Sequence, residues 1–397
     1  MKFDVEKTQN PDQMIINLGP SHPAMHGTIR IVVQTEGEII KDCDVNVGYL
    51  HRGFEKSCEA ATWHQAIPYV DRLNYSSPLI CNFAYVQALE KLAHIKITPR
   101  CAYIRTILSE LSRITDHLTC IGAGAMELGA MTAFLYAIQS RDFFYEHICK
   151  VTGARLTVSY ARVGGLANDL PDGWIPRLKE IVKNHKELMD RFVGLMMDNR
   201  IFIDRTRGVG VISQEDALNY GFTGPVLRST GVSLDCRKYN PYLLYDKVEF
   251  EVPVGKYGDT YDRFYVRLRE MEESIKIIEQ LIDKIPEGEI NVYHPQIMLP
   301  PKEEVYKSIE AIIKHFKIIY EGPIIPAGET YSAVEGANGE FGFYLVSDGT
   351  GKPVKCRLRP PSFILMGGVH TMLKGSSIAD VVPIFGSINM IGGECDR

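Results

Sequence analysis

Between Leu118 and Gln139 the chain reads LTCIGAGAMELGAMTAFLYAIQ, an apolar stretch close to the length of a bilayer span but interrupted by Glu127 and by glycines. A carboxylate there is costly against lipid, so the stretch reads as a buried bundle helix, with Glu127 turned into the interior or a polar cavity. Such a helix needs other apolar faces around it, and the sequence supplies them. After the start signal Thr98-Pro99, Ile104, Leu108, Leu111, Thr115 and Leu118 fall on one helical face. Another long helix follows Pro171, with Ile175, Leu178, Val182, Leu188, Phe192 and Leu195 on a stripe and Lys179, Lys183, Lys186 and Asp190 free to face solvent. A third pattern runs from Asp259 to Ile285 and stops at Pro286. Pro300 and Pro301 open a fourth, whose stripe is Val305, Ile309, Ile312, Phe316 and Ile319. Several long antiparallel helices predict a bundle.

The flanks differ. From Met14 to Val47, MIINLG and TIRIVVQTEGEIIKDCDVNV alternate around Glu36-Gly37, which predicts a hairpin. After Tyr320 glycine and proline increase, and GEFGFYLVS, DGTG and KPVKCRLR predict a second hairpin followed by an extended tail. The fold class is therefore α+β in three parts: a small strand-rich region with polar loops (1–75), a long-helix bundle (76–320), and a C-terminal hairpin with a wrapping tail (321–397).

A composition of 45% hydrophobic and 23% charged residues is that of a globular chain with a sizeable core. The net charge of -5 argues against a nucleic-acid partner. Nine scattered cysteines, an odd number with no CxxC pair, fit free thiols in a reducing cytoplasm. The start MKFDVEKTQNPDQ lacks the apolar run of an export signal, and no basic amphipathic stretch points to direct membrane binding.

Three polar loops are candidates for chemistry. GPSHPAMHG (19–27) sets two histidines four apart, but its prolines and glycines oppose a helix and no acidic ligand lies nearby, so a proline-stiffened loop with its imidazoles capping backbone groups explains it better than metal does. GYLHRGFEK (48–56) and PYVDRLNY (68–75) combine aromatics with arginine, which suits an anionic or polarised centre and equally suits surface ion pairs. On the residues alone Tyr75 reads as a core aromatic with a satisfied hydroxyl more readily than as a reactive donor. Dinucleotide, P-loop and nucleophile-elbow signatures are absent, so NADH binding by this chain is not expected.

In order along the chain, GPSHPAMHG, GYLHRGFEK, PYVDRLNY, LSELSRITDHL, ELGAMTAFLYA, YARVGG and the terminal GGECDR closely resemble the 49 kDa (D-type) subunit family of proton-pumping NADH-quinone oxidoreductase, respiratory complex I. The resemblance runs from about Met14 to Arg397. It implies a fold like the large subunit of nickel-iron hydrogenases, whose metal is held by two CxxC pairs. Here HRGFEK stands at the first place and Cys395 alone at the second, so no four-thiolate site forms and no metal is expected.

The old metal cavity is then implied to be a pocket for a quinone head, beside the terminal iron-sulfur cluster of a partner. Position by position, the family pattern makes His26 and Tyr75 the donors to the two quinone carbonyls, Glu127 the acidic partner of His26, and Arg72 the arginine beside the cluster. Quinone is the substrate, while iron-sulfur clusters and FMN belong to partner subunits. The implied partners are the B (iron-sulfur), C and H (membrane) subunits of the complex, with the chain peripheral on the cytoplasmic side of the bacterial inner membrane. Two positions depart from the pattern: Glu127 stands where aspartate is usual, and Thr157 where many relatives carry a titratable histidine near the cluster.

Overall fold

The computed structural model describes residues 13–21, 25 and 28–397. Its organising element is one long helix, and almost every side chain along that helix is buried. Pro99–Glu127 starts at Thr98, whose hydroxyl accepts from the Cys101 amide. We label the long helices Pro78–Leu92 (α1), Pro99–Glu127 (α2), Met131–Thr152 (α3), Trp174–Met196 (α4), Thr260–Leu281 (α5) and Ile309–Tyr320 (α6). Helices α1, α3 and α5 pack against α2, and α4 packs on α3.

The apolar stretch Leu118–Gln139 is two helices rather than the single one expected. The chain turns at Leu128–Ala130, where Gly129 takes φ +86, a left-handed conformation that glycine adopts without a Cβ clash. Asp259 caps α5 through the Asp262 amide, and the helix ends before Pro286 as its pattern required. The fourth pattern is also divided: Lys302–Val305 is a separate turn, and Ser308 caps α6 anew. On α6, Ile309, Ile312, Phe316 and Ile319 face outward, leaving an exposed apolar stripe.

Gln13–Leu18 (β1), Arg30–Glu36 (β2) and Ile39–Asn46 (β3) form an antiparallel sheet in that order, with the expected hairpin turning at Gly37. A second antiparallel sheet contains Gly328–Gly336 (β4), Gly339–Ser347 (β5) and Lys355–Arg359 (β6); β4 is a strand the sequence pattern did not indicate. The chain beyond it is helical, correcting the expected extended tail. Its main pieces are Pro361–Gly367 (α7), Val381–Ile388 (α8) and Gly392–Cys395 (α9). Proline at the first turn of α7 and left-handed Asn389 closing α8 are ordinary helix punctuation, obscured in the sequence by the glycine content.

The tail does not pack apart from the N-terminal sheet. Ile31, Val33 and Ile40 share one core with Val369, Leu373 and Ile384, and Ile40 exchanges backbone hydrogen bonds with Gly375 and Ser376. Elsewhere the bundle encloses a network of charged groups. Arg228 donates to Glu270 and Glu335, Arg237 to Asp235 and Glu110, and Arg113 to Glu110, all fully or almost fully buried. His117 Nε2 contacts Glu270 at 2.9 Å. The adjacent arginines hold Glu270 well below the usual carboxylate range despite its burial. Removing one partner from such a network strands a charge. Arg228→Met should cost roughly 3–5 kcal/mol, read as a lowered denaturant midpoint; an unchanged midpoint would show the network to be energetically idle.

Candidate functional site

The segment 71–77 is clamped at both ends. Asp71, fully buried, accepts from Asn82 Nδ2 at 2.5 Å and from the Ser159 hydroxyl at 2.7 Å. Burial is the main reason its carboxyl is pushed up to about 6, with the Ser159 hydrogen bonds opposing. Asn74 Oδ1 accepts from the Ser76 and Ser77 amides, folding the loop on itself, and Asn74 Nδ2 donates to Asp116 of α2 at 3.0 Å. The Ser77 hydroxyl donates to the same Asp116 oxygen at 2.6 Å, and Asn389 Nδ2 donates to the other at 2.8 Å.

Tyr75 therefore projects from a rigid loop and keeps 42% of its surface exposed. Its phenol is pushed above the ordinary value by burial, with Asp116 and Glu394 adding to the effect. Arg72 Nη1 donates to the Pro68 carbonyl at 2.5 Å, and the Arg72 carbonyl accepts from Arg52 at 2.7 Å. Arg52, partly desolvated and facing Arg72, is lowered from the ordinary guanidinium value.

The C-terminal residues lie against this loop. A Cβ on Gly393 would stand 2.4 Å from the Arg72 carbonyl oxygen, so only glycine permits the contact. The Gly48 and Leu50 amides donate to the Asp396 carboxylate at 2.8 and 2.7 Å, and His51 Nδ1 contacts the Asp396 carbonyl at 2.7 Å. Three separate sequence motifs, GYLHRGFEK, PYVDRLNY and GGECDR, are thus brought together. Beside them is a cavity of about 350 Å3, bordered among others by His51, Glu55, Phe363 and Cys395.

His26 lies outside the described residues. Its loop is bounded by Met25, which is fully buried, and by Thr28, whose side chain packs over Gly392. Glu127, the last residue of α2, is half-buried, with its carboxylate over Gly386 of α8 where a Cβ would come within 2.4 Å of Oε2. Tyr75 and Glu127 thus rest against one C-terminal segment. Asp116 and Glu127 are eleven residues apart on α2, a span of roughly 16 Å at 1.5 Å per residue. Thr157 is half-buried two residues before Ser159, the partner of Asp71. Sequence reasoning weighed Asp71 only as a member of a surface ion pair, which its full burial corrects, and missed Asp116 and Glu394. Asp116 and Glu394 sit inside motifs already noted, yet their burial and partners depend on residues far away in the chain.

The chain matches the family model described as respiratory-chain NADH dehydrogenase, 49 Kd subunit, over residues 127–397. The chain belongs to that family. It is 55% identical over its full length to the NADH-quinone oxidoreductase D subunit of Pelobacter propionicus, covering 98% of that protein. It is 52% identical over 97% of its length to the D subunit of Myxococcus xanthus and 54% identical over 97% to the first D subunit of Sorangium cellulosum, covering 93% and 96% of them. As a D-type member of complex I, the chain works with other complex I subunits in NADH-quinone oxidoreductase activity. Among the described residues no helix is long and apolar enough to cross a membrane, and no group of three or more His, Cys, Asp or Glu is placed to hold a metal ion.

Asp71 offers a test of how burial shapes this family member. Its folded-state value is raised, so its contribution to stability is whole below about pH 4 and is lost as pH climbs through about 6. That interval corresponds to roughly 3 kcal/mol. Asp71→Asn should flatten the fall in the denaturant midpoint between pH 4 and 7; an equal fall in both proteins would contradict the assignment.

Proposed function

We propose that this chain builds the pocket for the quinone head, beside the terminal iron-sulfur cluster of the B subunit, and that reduction there is coupled to proton translocation. The observation that carries the reading is the convergence of the Tyr75 loop, the ends of the His26 loop and the C-terminal residues at one place. In this reading His26 and Tyr75 are the donors to the two carbonyl oxygens. Two-electron reduction places negative charge on those oxygens, and donors already aimed at them stabilise it and shorten the proton path. The rigid attachment of the Tyr75 loop to Asp116 supports this role, because a donor held in place has little orientational freedom left to lose.

Glu127 orients the His26 imidazole in this scheme and favours its charged form. The absence of a side chain on Gly386 leaves space for the extra methylene relative to aspartate. Arg72 lies toward the cluster, where a permanent positive charge favours the reduced state. The B, C and H subunits are the proposed neighbours, the last closing the lipid-facing entrance on the cytoplasmic side of the bacterial inner membrane. The arrangement supports descent from a hydrogenase-like large subunit, with hydrogen-bond donors in place of a four-thiolate metal site. Quinone is the substrate of the complex in this reading, and FMN and the clusters belong to other subunits.

In the assembled complex, Tyr75→Phe and His26→Ala should each reduce NADH-dependent quinone reduction by about 10²-fold or more. Full activity in both assembled variants would refute the donor roles. Thr157 cannot titrate, so the midpoint potential of the neighbouring cluster should change little between pH 6 and 8. That cluster is proposed to lie at a potential low enough for a quinone such as menaquinone. Thr157→His should introduce a slope approaching about 59 mV per pH unit, the one-electron value; a steep slope already present in the unsubstituted complex would contradict the reading.

A further inference from the structure

Glu394 is a buried acid with an uneven set of partners. Its side chain is fully buried in α9. Oε1 accepts from the Ser362 hydroxyl and, at 3.2 Å, from the Ser362 amide, while the same hydroxyl accepts from the Ile391 amide at 3.2 Å. Oε2 has no partner at hydrogen-bond geometry among the described residues, the Asn338 side chain only approaching the carboxyl group. A buried carboxylate normally gathers several donors or a cation. Among the described residues this one has no cation beside it, and on Oε2 only the approach of the Asn338 side chain.

Its surroundings explain why a proton is the natural occupant. Asp116 of α2, Cys81 of α1 and Tyr75 of the clamped loop lie near enough to interact with it electrostatically, and the adjacent Gly393 packs on the Arg72 and Leu73 carbonyls of that loop. On its own element, Cys395, Asp396 and Arg397 follow it in sequence, and Arg397 is drawn away onto the Phe363 ring and toward Glu55. Arg267 of α5 reaches this polar cluster only at Asn338 Oδ1, 3.3 Å away, and directs a further donor to the Ile388 carbonyl. No direct guanidinium contact to Glu394 is made among the described residues. Burial and the nearby Asp116 push the carboxyl up to about 7, the two Ser362 hydrogen bonds opposing.

We propose that Glu394 is a proton store behind Tyr75, its carboxyl holding the proton that replaces the one the phenol gives to the substrate. The inference rests on the donor role of Tyr75 and deepens it. When the substrate oxygen takes the phenol proton, the Tyr75 O–H bond breaks and a phenolate is left. The Glu394 O–H bond then breaks, and the net movement is one proton onto the phenolate, leaving Tyr75 neutral and Glu394 ionised. Water restores the Glu394 proton before the next turnover. The electrons come from the NADH oxidation of the complex, and none passes through Glu394. Glu394 does not touch the substrate in this scheme; it acts only through Tyr75, by replacing its proton.

The test is a pH profile of NADH-dependent quinone reduction in the assembled complex, with infrared difference spectra of the protonated-carboxyl stretch, for the unsubstituted protein, Glu394→Gln and Glu394→Asp. The unsubstituted complex should show an inflection near pH 7 and a carboxyl band that disappears between pH 6 and 8. Glu394→Gln should abolish both and lower the rate several-fold below pH 7, and Glu394→Asp should restore the inflection with a displaced band. The absence of any carboxyl band titrating in that range in the unsubstituted complex overturns the proposal without recourse to a variant. An unaltered profile in assembled Glu394→Gln also overturns it. Tyr75→Phe separates the two claims: if that variant is inactive while Glu394→Gln retains the normal profile, only the proton store fails, and if Tyr75→Phe is fully active the donor reading fails first.

Discussion

The Asp116 carboxylate joins the parts of the molecule that must meet for a site to exist. One oxygen holds the Tyr75 loop through Asn74 and Ser77, and the other holds Asn389 at the end of α8. Asn389 in turn contacts Asn338, which follows β4. A helix in the bundle, a loop from the first part of the chain and the last residues of the tail are thereby fixed to a single side chain. The desolvation cost of burying that carboxylate is offset by its three donors, and losing any one would leave an acceptor facing a dry interior.

The same principle recurs deeper in the bundle. Arg113, Arg228 and Arg237 are buried with Glu110, Asp235, Glu270 and Glu335, so guanidinium and carboxyl groups alternate through the network. Apolar packing alone tolerates many helix rotations and slides, whereas alternating charges tolerate very few, because a displaced helix leaves several groups unpaired together. Register along α2 and α5 is thus set electrostatically. Asp116, between the network and the Tyr75 loop, inherits that register.

Local signals carried the elements well and their joints less well. Thr98 begins a helix at its start signal and the third pattern opens at Asp259 as expected, whereas the fourth long helix opens at Ser308 and not at Pro300-Pro301; the hairpin at Gly37 follows from alternation on either side. The break at Leu128–Ala130 was hidden because apolar residues continue across it, leaving only Gly129 as a marker. The tail was misread because its helices are short and rich in glycine and proline, and they are stabilised by burial against β3 and α2 more than by their own propensity. Three of the motifs, GYLHRGFEK, PYVDRLNY and GGECDR, come together in the fold. The partners of Asp116 and Arg228 could not be read locally, since they lie 273 and 107 residues away in sequence.

What the converging loops have in common is an environment that disfavours negative charge on its acids. Burial raises Asp71, Tyr75, Cys81, Glu394 and Cys395, and for Cys395 the neighbouring Asp396 and Glu394 raise it further. A thiol held protonated is a poor metal ligand, because the thiolate is the form that binds. The burial that weakens metal binding also raises the proton affinity of the nearby carboxyl and phenol groups, so a phenol there gives up its proton only to a strong base beside it. A substrate oxygen gaining electrons is such a base. In the proposed function this electrostatic setting would couple proton release to charge arriving at the substrate, with the hydrogen bonds of Asp116 holding the Tyr75 loop in place.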